Sequence, residues 1–148
     1  QAEKPSRRRQ TGRVAGVGMY VFLGWLNITF FVIMTAPLWL RFLNTHLFHF
    51  KGGVYSRVIK LLRRIHKPLG GIILVIALIH GYLALGSFRL HTGTLLWLVV
   101  AVSACLGLSF YLFKKKALFI WHRRMALLVL VFVLIHLLFP SAVYYLLG

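Results

Sequence analysis

Residues 66–80 read HKPLGGIILVIALIH, and residues 122–136 read HRRMALLVLVFVLIH. Each is an apolar run closed at both ends by histidine, with the two histidines fourteen residues apart. A helix turns ~100° per residue, so fourteen steps return to within about 40° of the start, and the two rings of a pair share one face roughly 21 Å apart along the axis. The same spacing on two apolar segments is the pattern that organises the rest of the chain.

Around these segments the chain is lipid-like. Of its 148 residues 60% are hydrophobic, and the mean hydropathy is +0.85, outside the range of soluble globular chains. Residues 93–113 carry no charge over 21 positions, enough to cross a hydrocarbon core of ~30 Å as a helix. Residues 14–40, 68–88 and 117–140 read similarly, which predicts four spans. The connections are short, so consecutive spans are antiparallel neighbours. The expected fold is all-α: an integral membrane four-helix up-down bundle in which the second and fourth helices run parallel. Residues 1–13 form a polar, basic arm, expected to be loosely ordered or interfacial, and residues 14–148 form one transmembrane domain. The run from Val14 to Leu40 is too long for a signal peptide, so a retained helix is expected. Pro37 should end or kink it, leaving residues 38–50 as an aromatic segment at the interface. Residues 54–65 read as a basic lead-in helix to the second span, whose first turns hold Pro68.

Charge excludes several functions. There are 18 Lys and Arg against one acid, Glu3, for a net charge of +17. The cations sit in the gaps between apolar runs, as at the flanks of membrane helices, and little soluble surface remains for nucleic acid. No carboxylate lies within a span, which argues against a proton pump or an ion-coupled transporter. Twelve of the basic residues lie in the first and third connections and six on the other side, so the His66/His122 end is expected to face the cytoplasm. One cysteine, Cys105, gives no disulfide framework, and no C-x-x-C-H is present for covalent haem attachment.

With the second and fourth helices parallel, His66 meets His122 at one depth and His80 meets His136 at the other. Two imidazoles on opposite sides are what low-spin haem iron requires as axial ligands. The reading is therefore two noncovalent haem b groups, each bis-histidine, stacked between the second and fourth helices. A lone histidine near a helix end is usually interfacial; the repeated spacing at matching depth is what favours ligation. Gly70, Gly71 and Gly81, beside the ligands, permit close approach of a porphyrin or serve helix packing alone. Arg63, Arg64, Lys67, Arg123 and Arg124 flank the first level, and Arg89 with His91 flanks the second; these are candidates for the haem propionates, or ordinary topology charges. His46 and His49 are read as interfacial, with a quinone contact, a further ligand or a metal site as alternatives. Ile73 and Val129, seven residues beyond His66 and His122, should fill the space between levels.

The runs beginning His66-Lys67-Pro68-Leu69-Gly70 and Trp121-His122-Arg123-Arg124-Met125, each followed by a second histidine, resemble the haem-binding helices of the ferric-reductase-like transmembrane family, which includes ferric reductases and the cytochrome b part of NADPH oxidases. The resemblance covers roughly residues 60–140. It implies transmembrane electron transfer through two haems, with the four histidines as iron ligands. The family core has six spans and many members carry a C-terminal flavin and nicotinamide domain; this chain has about four spans and stops at Gly148. The resemblance thus implies a separate donor, such as a flavoprotein, an acidic redox protein or other subunits of a redox complex, with this chain as the electron-transfer subunit of an oxidoreductase. The alternatives are a quinone-reactive cytochrome b exchanging electrons with the membrane quinone pool, and a transporter or assembly protein without haem.

Overall fold

In lipid every backbone amide and carbonyl must find its partner within the chain, which favours unbroken helices. The computed structural model, which describes the backbone of residues 7–87 and 90–147 and the side chains of most of these from residue 18 onward, contains helices and no strand among those residues. The helices are α1 (Arg7–Leu43), α2 (Gly53–Leu85), α3 (Thr92–Phe113), α4 (Lys116–Leu138) and a short α5 (Ala142–Leu147). A π-helical turn, Asn44–Phe48, extends α1. Four segments are long and apolar enough to cross a membrane: Gly18–Phe48, Gly53–Leu85, Thr92–Phe113 and Lys116–Leu138.

The helix ends follow local chemistry. Gly86 closes α2 in the left-handed conformation (φ 65°) and donates its N–H to Tyr82 O at 2.8 Å, the position where glycine carries no Cβ penalty. Lys114 (φ 56°) closes α3 in the same way on Phe110 O. The π turn ends at His49 (φ 53°), and Asn44 clamps it: Phe50 N–H donates to Asn44 Oδ1 at 2.8 Å, and Asn44 Nδ2 donates to Phe50 O at 3.2 Å.

Two expectations about boundaries are corrected and one is extended. Pro37 does not end the first helix; it lies inside α1, which runs six residues further to Leu43. The lead-in segment 54–65 is helical as expected and runs without a break into the second span, giving one helix of 33 residues with Pro68 within it. Proline costs a helix one hydrogen bond, but in lipid an unwound backbone costs more, so the helix continues through it. Finally, α1 begins at Arg7, so residues 7–13 of the basic arm are helical; arginine and glutamine are good helix formers.

Helices α1 and α2 pack along each other, as do α3 and α4, while α2 touches α3 more sparsely. The chain is thus two hairpins. Side-chain contacts fix their register. His80 reaches Tyr20 on α1 and His66 reaches Met34, so α1 and α2 are antiparallel. His136 reaches Thr92 and His122 reaches Ser103, so α3 and α4 are antiparallel too. His66 lies against His122 and His80 against His136, which makes α2 and α4 parallel, as their place in an up-down bundle requires.

The core is thin. Among the described residues the buried hydrophobic side chains are Ala36, Ile59, Ile73 and Val129. Large apolar side chains point outward along every span: Phe22 and Trp25 on α1, Leu61 and Val75 on α2, Leu98 and Leu108 on α3, Leu127 and Val131 on α4. Water would not tolerate so continuous an apolar surface; lipid tails do. The chain is a multi-pass membrane protein whose outer face contacts lipid.

Candidate functional site

The four repeated histidines form two pairs. The ring centroids of His66 and His122 are 6.1 Å apart with planes at 82°; those of His80 and His136 are 6.5 Å apart at 88°. An imidazole nitrogen bonds a metal at about 2 Å, so two rings on opposite sides of one ion have centroids about 6.3 Å apart. Both pairs sit at that spacing. The backbones of α2 and α4 meet at most incidentally, so the rings face each other across a gap between helices.

Each ring is held by its other nitrogen. His66 Nδ1 lies 3.2 Å from Met34 O, His80 Nδ1 2.8 Å from Tyr20 O, and His122 Nδ1 2.8 Å from Ser103 O. A carbonyl oxygen only accepts, so in these three rings Nδ1 carries the proton and donates it. At His136 the partner is Thr92 Oγ1, at 3.1 Å. The Thr92 hydroxyl donates its own proton to Pro140 O at 2.6 Å, so its oxygen accepts from His136 Nδ1. In its neutral form each of the four imidazoles is thereby set to the tautomer that leaves Nε2 unprotonated, the form that binds a metal. Orientation of a ligating histidine by a hydrogen bond from its far nitrogen is the usual outer shell of a metal site. The two buried polar residues among those described, Thr92 and Ser103, are both histidine partners.

The glycines that matter here are on α1 and α3. A Cβ added at Gly24 would come within 3.1 Å of the His80 ring, at Gly93 within 3.1 Å of His136, and at Gly107 within 3.1 Å of His122. A side chain at any of them would push the imidazole aside. Sequence reading did not single these out, although one signal was available: Gly93 and Gly107 are themselves fourteen residues apart, as are Tyr20 and Met34, whose carbonyls receive the α2 histidines. At Gly70, Gly71 and Gly81 an added Cβ would meet no histidine ring beyond the chain neighbours. A Cβ at Gly70 would approach only Met34, at 3.8 Å, and at Gly71 or Gly81 would meet nothing within 4 Å.

At the His80/His136 level the helices enclose a cavity of about 450 Å³, within the size range of cofactor sites. Its lining is apolar, with Phe31, Ala77, Trp97 and Val133 among the contributors, and it includes Gly81 and both histidines. Ile73 and Val129, each 6% exposed, line its inner end, in the intermediate position expected of them. Two polar groups on its wall stand out: the amide of Asn27 and the hydroxyl of Ser87 are buried with no hydrogen-bond partner among the described residues. His91 also lines it, with its ring centroid 6.4 Å from that of His136. Arg89 lies outside the described residues.

At the other level the flanking cations are exposed. Lys67 Nζ sits 3.9 Å from the Tyr111 ring centroid, the Arg124 guanidinium 5.1 Å from that of Trp121, and the Arg123 guanidinium 5.9 Å from that of Phe119. Such contacts hold a cation loosely at a surface. Arg64 is exposed as well, and Arg63 borders a separate small cavity between α1 and α2. His46 and His49 are exposed in the α1–α2 connection, His46 against the Phe42 ring at 4.4 Å, so neither joins the paired histidines.

Among the described residues no cluster of three or more histidine, cysteine, aspartate or glutamate side chains is arranged to hold a metal ion. A bare ion such as zinc needs about four protein ligands. Comparison with protein-family models, with curated proteins and with solved structures finds no match for this chain.

Proposed function

We propose that the protein is a membrane dihaem cytochrome b that carries electrons across the bilayer. The observation that carries this reading is the duplicated pair: two imidazoles about 6 Å apart, nearly perpendicular, each with Nδ1 engaged by a neighbouring oxygen, which leaves Nε2 for a metal. His66 and His122 would hold one haem and His80 and His136 the other. The donor set fits: neutral nitrogens from both sides, glycine where the rings need room, and an apolar cavity at the second level. When bound, haem supplies reversible one-electron chemistry at iron.

The chain's own residues do the rest. Tyr20, Met34, Ser103 and Thr92 set ring orientation. Ile73 and Val129 keep water from the space between levels, which lie roughly 21 Å apart along the helices. Asn27 and Ser87 offer hydrogen bonds within the cavity, and the exposed cations near the first level offer charge to propionates or to an acidic redox partner. Membership of a larger ferric-reductase-like redox system, with a flavin-containing donor, is consistent with the motif.

The test is a pyridine haemochrome assay with iron analysis on the purified chain, together with reduced-minus-oxidised spectra. The expected result is two haem b per chain with the spectra of bis-histidine ligation. A preparation made under haem-replete conditions that is folded, colourless and iron-free would sink the reading.

A further inference from the structure

The second cavity, about 180 Å³, lies away from the histidines, between the end of α1 and the start of α2. It is lined by Arg41, Tyr55, Ser56, Ile59, Lys60 and Arg63. Three cations and two hydroxyl groups therefore surround one small space. Arg41 is the basic residue of the last turn of α1. Tyr55 and Ser56 lie in the first turn of α2, which contains no acidic residue and whose N-cap, Gly52, offers no side-chain hydrogen bond. The positive end of the helix dipole adds to the three side chains there.

Among the described residues there is no carboxylate side chain to neutralise this cluster. The whole sequence has one acid, Glu3, against 18 Lys and Arg, so the counter-charge must come from outside. Charges needed only to set topology have no reason to gather around a cavity. The volume equals about six waters at ~30 Å³ each, which accommodates a phosphate group. The setting is a membrane interface: Trp39 and Phe42 lie exposed beside Arg41, and tryptophan concentrates at headgroup level.

We propose that Arg41, Lys60 and Arg63, with the Tyr55 and Ser56 hydroxyls, form a binding site for a phosphate group, borne by an anionic lipid or free in solution. Arginine forks and hydroxyl donors suit phosphate oxygens, and basic pockets between membrane helices are where anionic headgroups bind.

The experiment follows thermal unfolding of the full chain in mild detergent while phosphatidylglycerol, phosphatidylcholine or inorganic phosphate is added. Phosphatidylglycerol should raise Tm saturably and phosphatidylcholine should not. An equal rise with inorganic phosphate would assign the site to a soluble anion; a rise with phosphatidylglycerol alone assigns it to lipid. In either case Arg41→Gln/Lys60→Gln should weaken the response by about tenfold or more. Tyr55→Phe, which keeps the charge and the ring, should weaken it a few-fold. The charge-matched control Lys115→Gln/Lys116→Gln should respond as the wild type does. The proposal is overturned if neither probe raises Tm, if Arg41→Gln/Lys60→Gln responds unchanged, or if the control loses as much.

Discussion

The two histidine levels repeat one ligand geometry in two different surroundings. At His66/His122 both supports are main-chain carbonyls, those of Met34 and Ser103, and exposed cations stand nearby on aromatic faces. At His80/His136 one support is a carbonyl and the other the Thr92 side chain. Cavity, unpartnered amide and third histidine all belong to that level. Ring spacing depends on the helix register shared by both levels, so it is the same. What surrounds the rings depends on individual side chains, so it differs. Ligand loss should therefore act alike at both levels, and changes in support should not.

The largest effect tests the shared part. On the proposed dihaem reading, His66→Ala or His122→Ala should remove one haem, and His80→Ala or His136→Ala the other, halving haem content in the pyridine haemochrome assay. If His66→Ala and His136→Ala removed the same haem, the pairing by level would be wrong.

A smaller effect separates the levels. Thr92→Val keeps the shape but removes the acceptor for His136, and losing such an outer-shell partner typically costs about 10–100-fold in metal affinity. Ser103→Ala leaves the Ser103 carbonyl in place at 2.8 Å and removes only a hydroxyl 3.3 Å from the ring nitrogen. Haem retention during competitive extraction by an apo-haem-binding protein should thus fall for Thr92→Val and stay close to wild type for Ser103→Ala. Equal losses would erase the difference drawn between the two supports.

The smallest effects come from crowding. Gly24→Ala, Gly93→Ala and Gly107→Ala each place a methyl 3.1 Å from a ring, which must give by a few tenths of an ångström. The low-temperature electron paramagnetic resonance signal should shift at the second level for the first two and at the first level for Gly107→Ala. Gly71→Ala, which meets nothing within 4 Å, should leave both signals unchanged.

How much of this was legible beforehand depended on whether the signal lay within one helix. The four spans and the two pairs are periodicities along single segments: a charge-free run at 93–113, and fourteen residues from His66 to His80. Pairing by level needed only that α2 and α4 run parallel, which short connections imply. Contacts between helices were out of reach. Which glycine faces His80 depends on the register of α1 against α2, and no pattern within α2 reports it; hence Gly81, adjacent in sequence, was singled out and Gly24 was not. Thr92 was hidden for the same reason, since a threonine opening a helix is ordinarily read as a cap. Pro37 misled because its usual meaning as a helix end is learned in water, where unwound backbone finds partners that lipid does not offer.

The sparse packing between the two hairpins has a consequence for biogenesis. Each hairpin is closed in itself, α1 on α2 and α3 on α4, and each brings one histidine of both levels together with that histidine's own support. On the proposed reading the chain can be inserted into the bilayer as two finished halves, with neither haem position complete in either. Maturation then becomes a docking event between preassembled pieces. Halves expressed as separate polypeptides, divided in the α2–α3 connection, should reconstitute in the membrane when haem is supplied and drift apart when it is withheld.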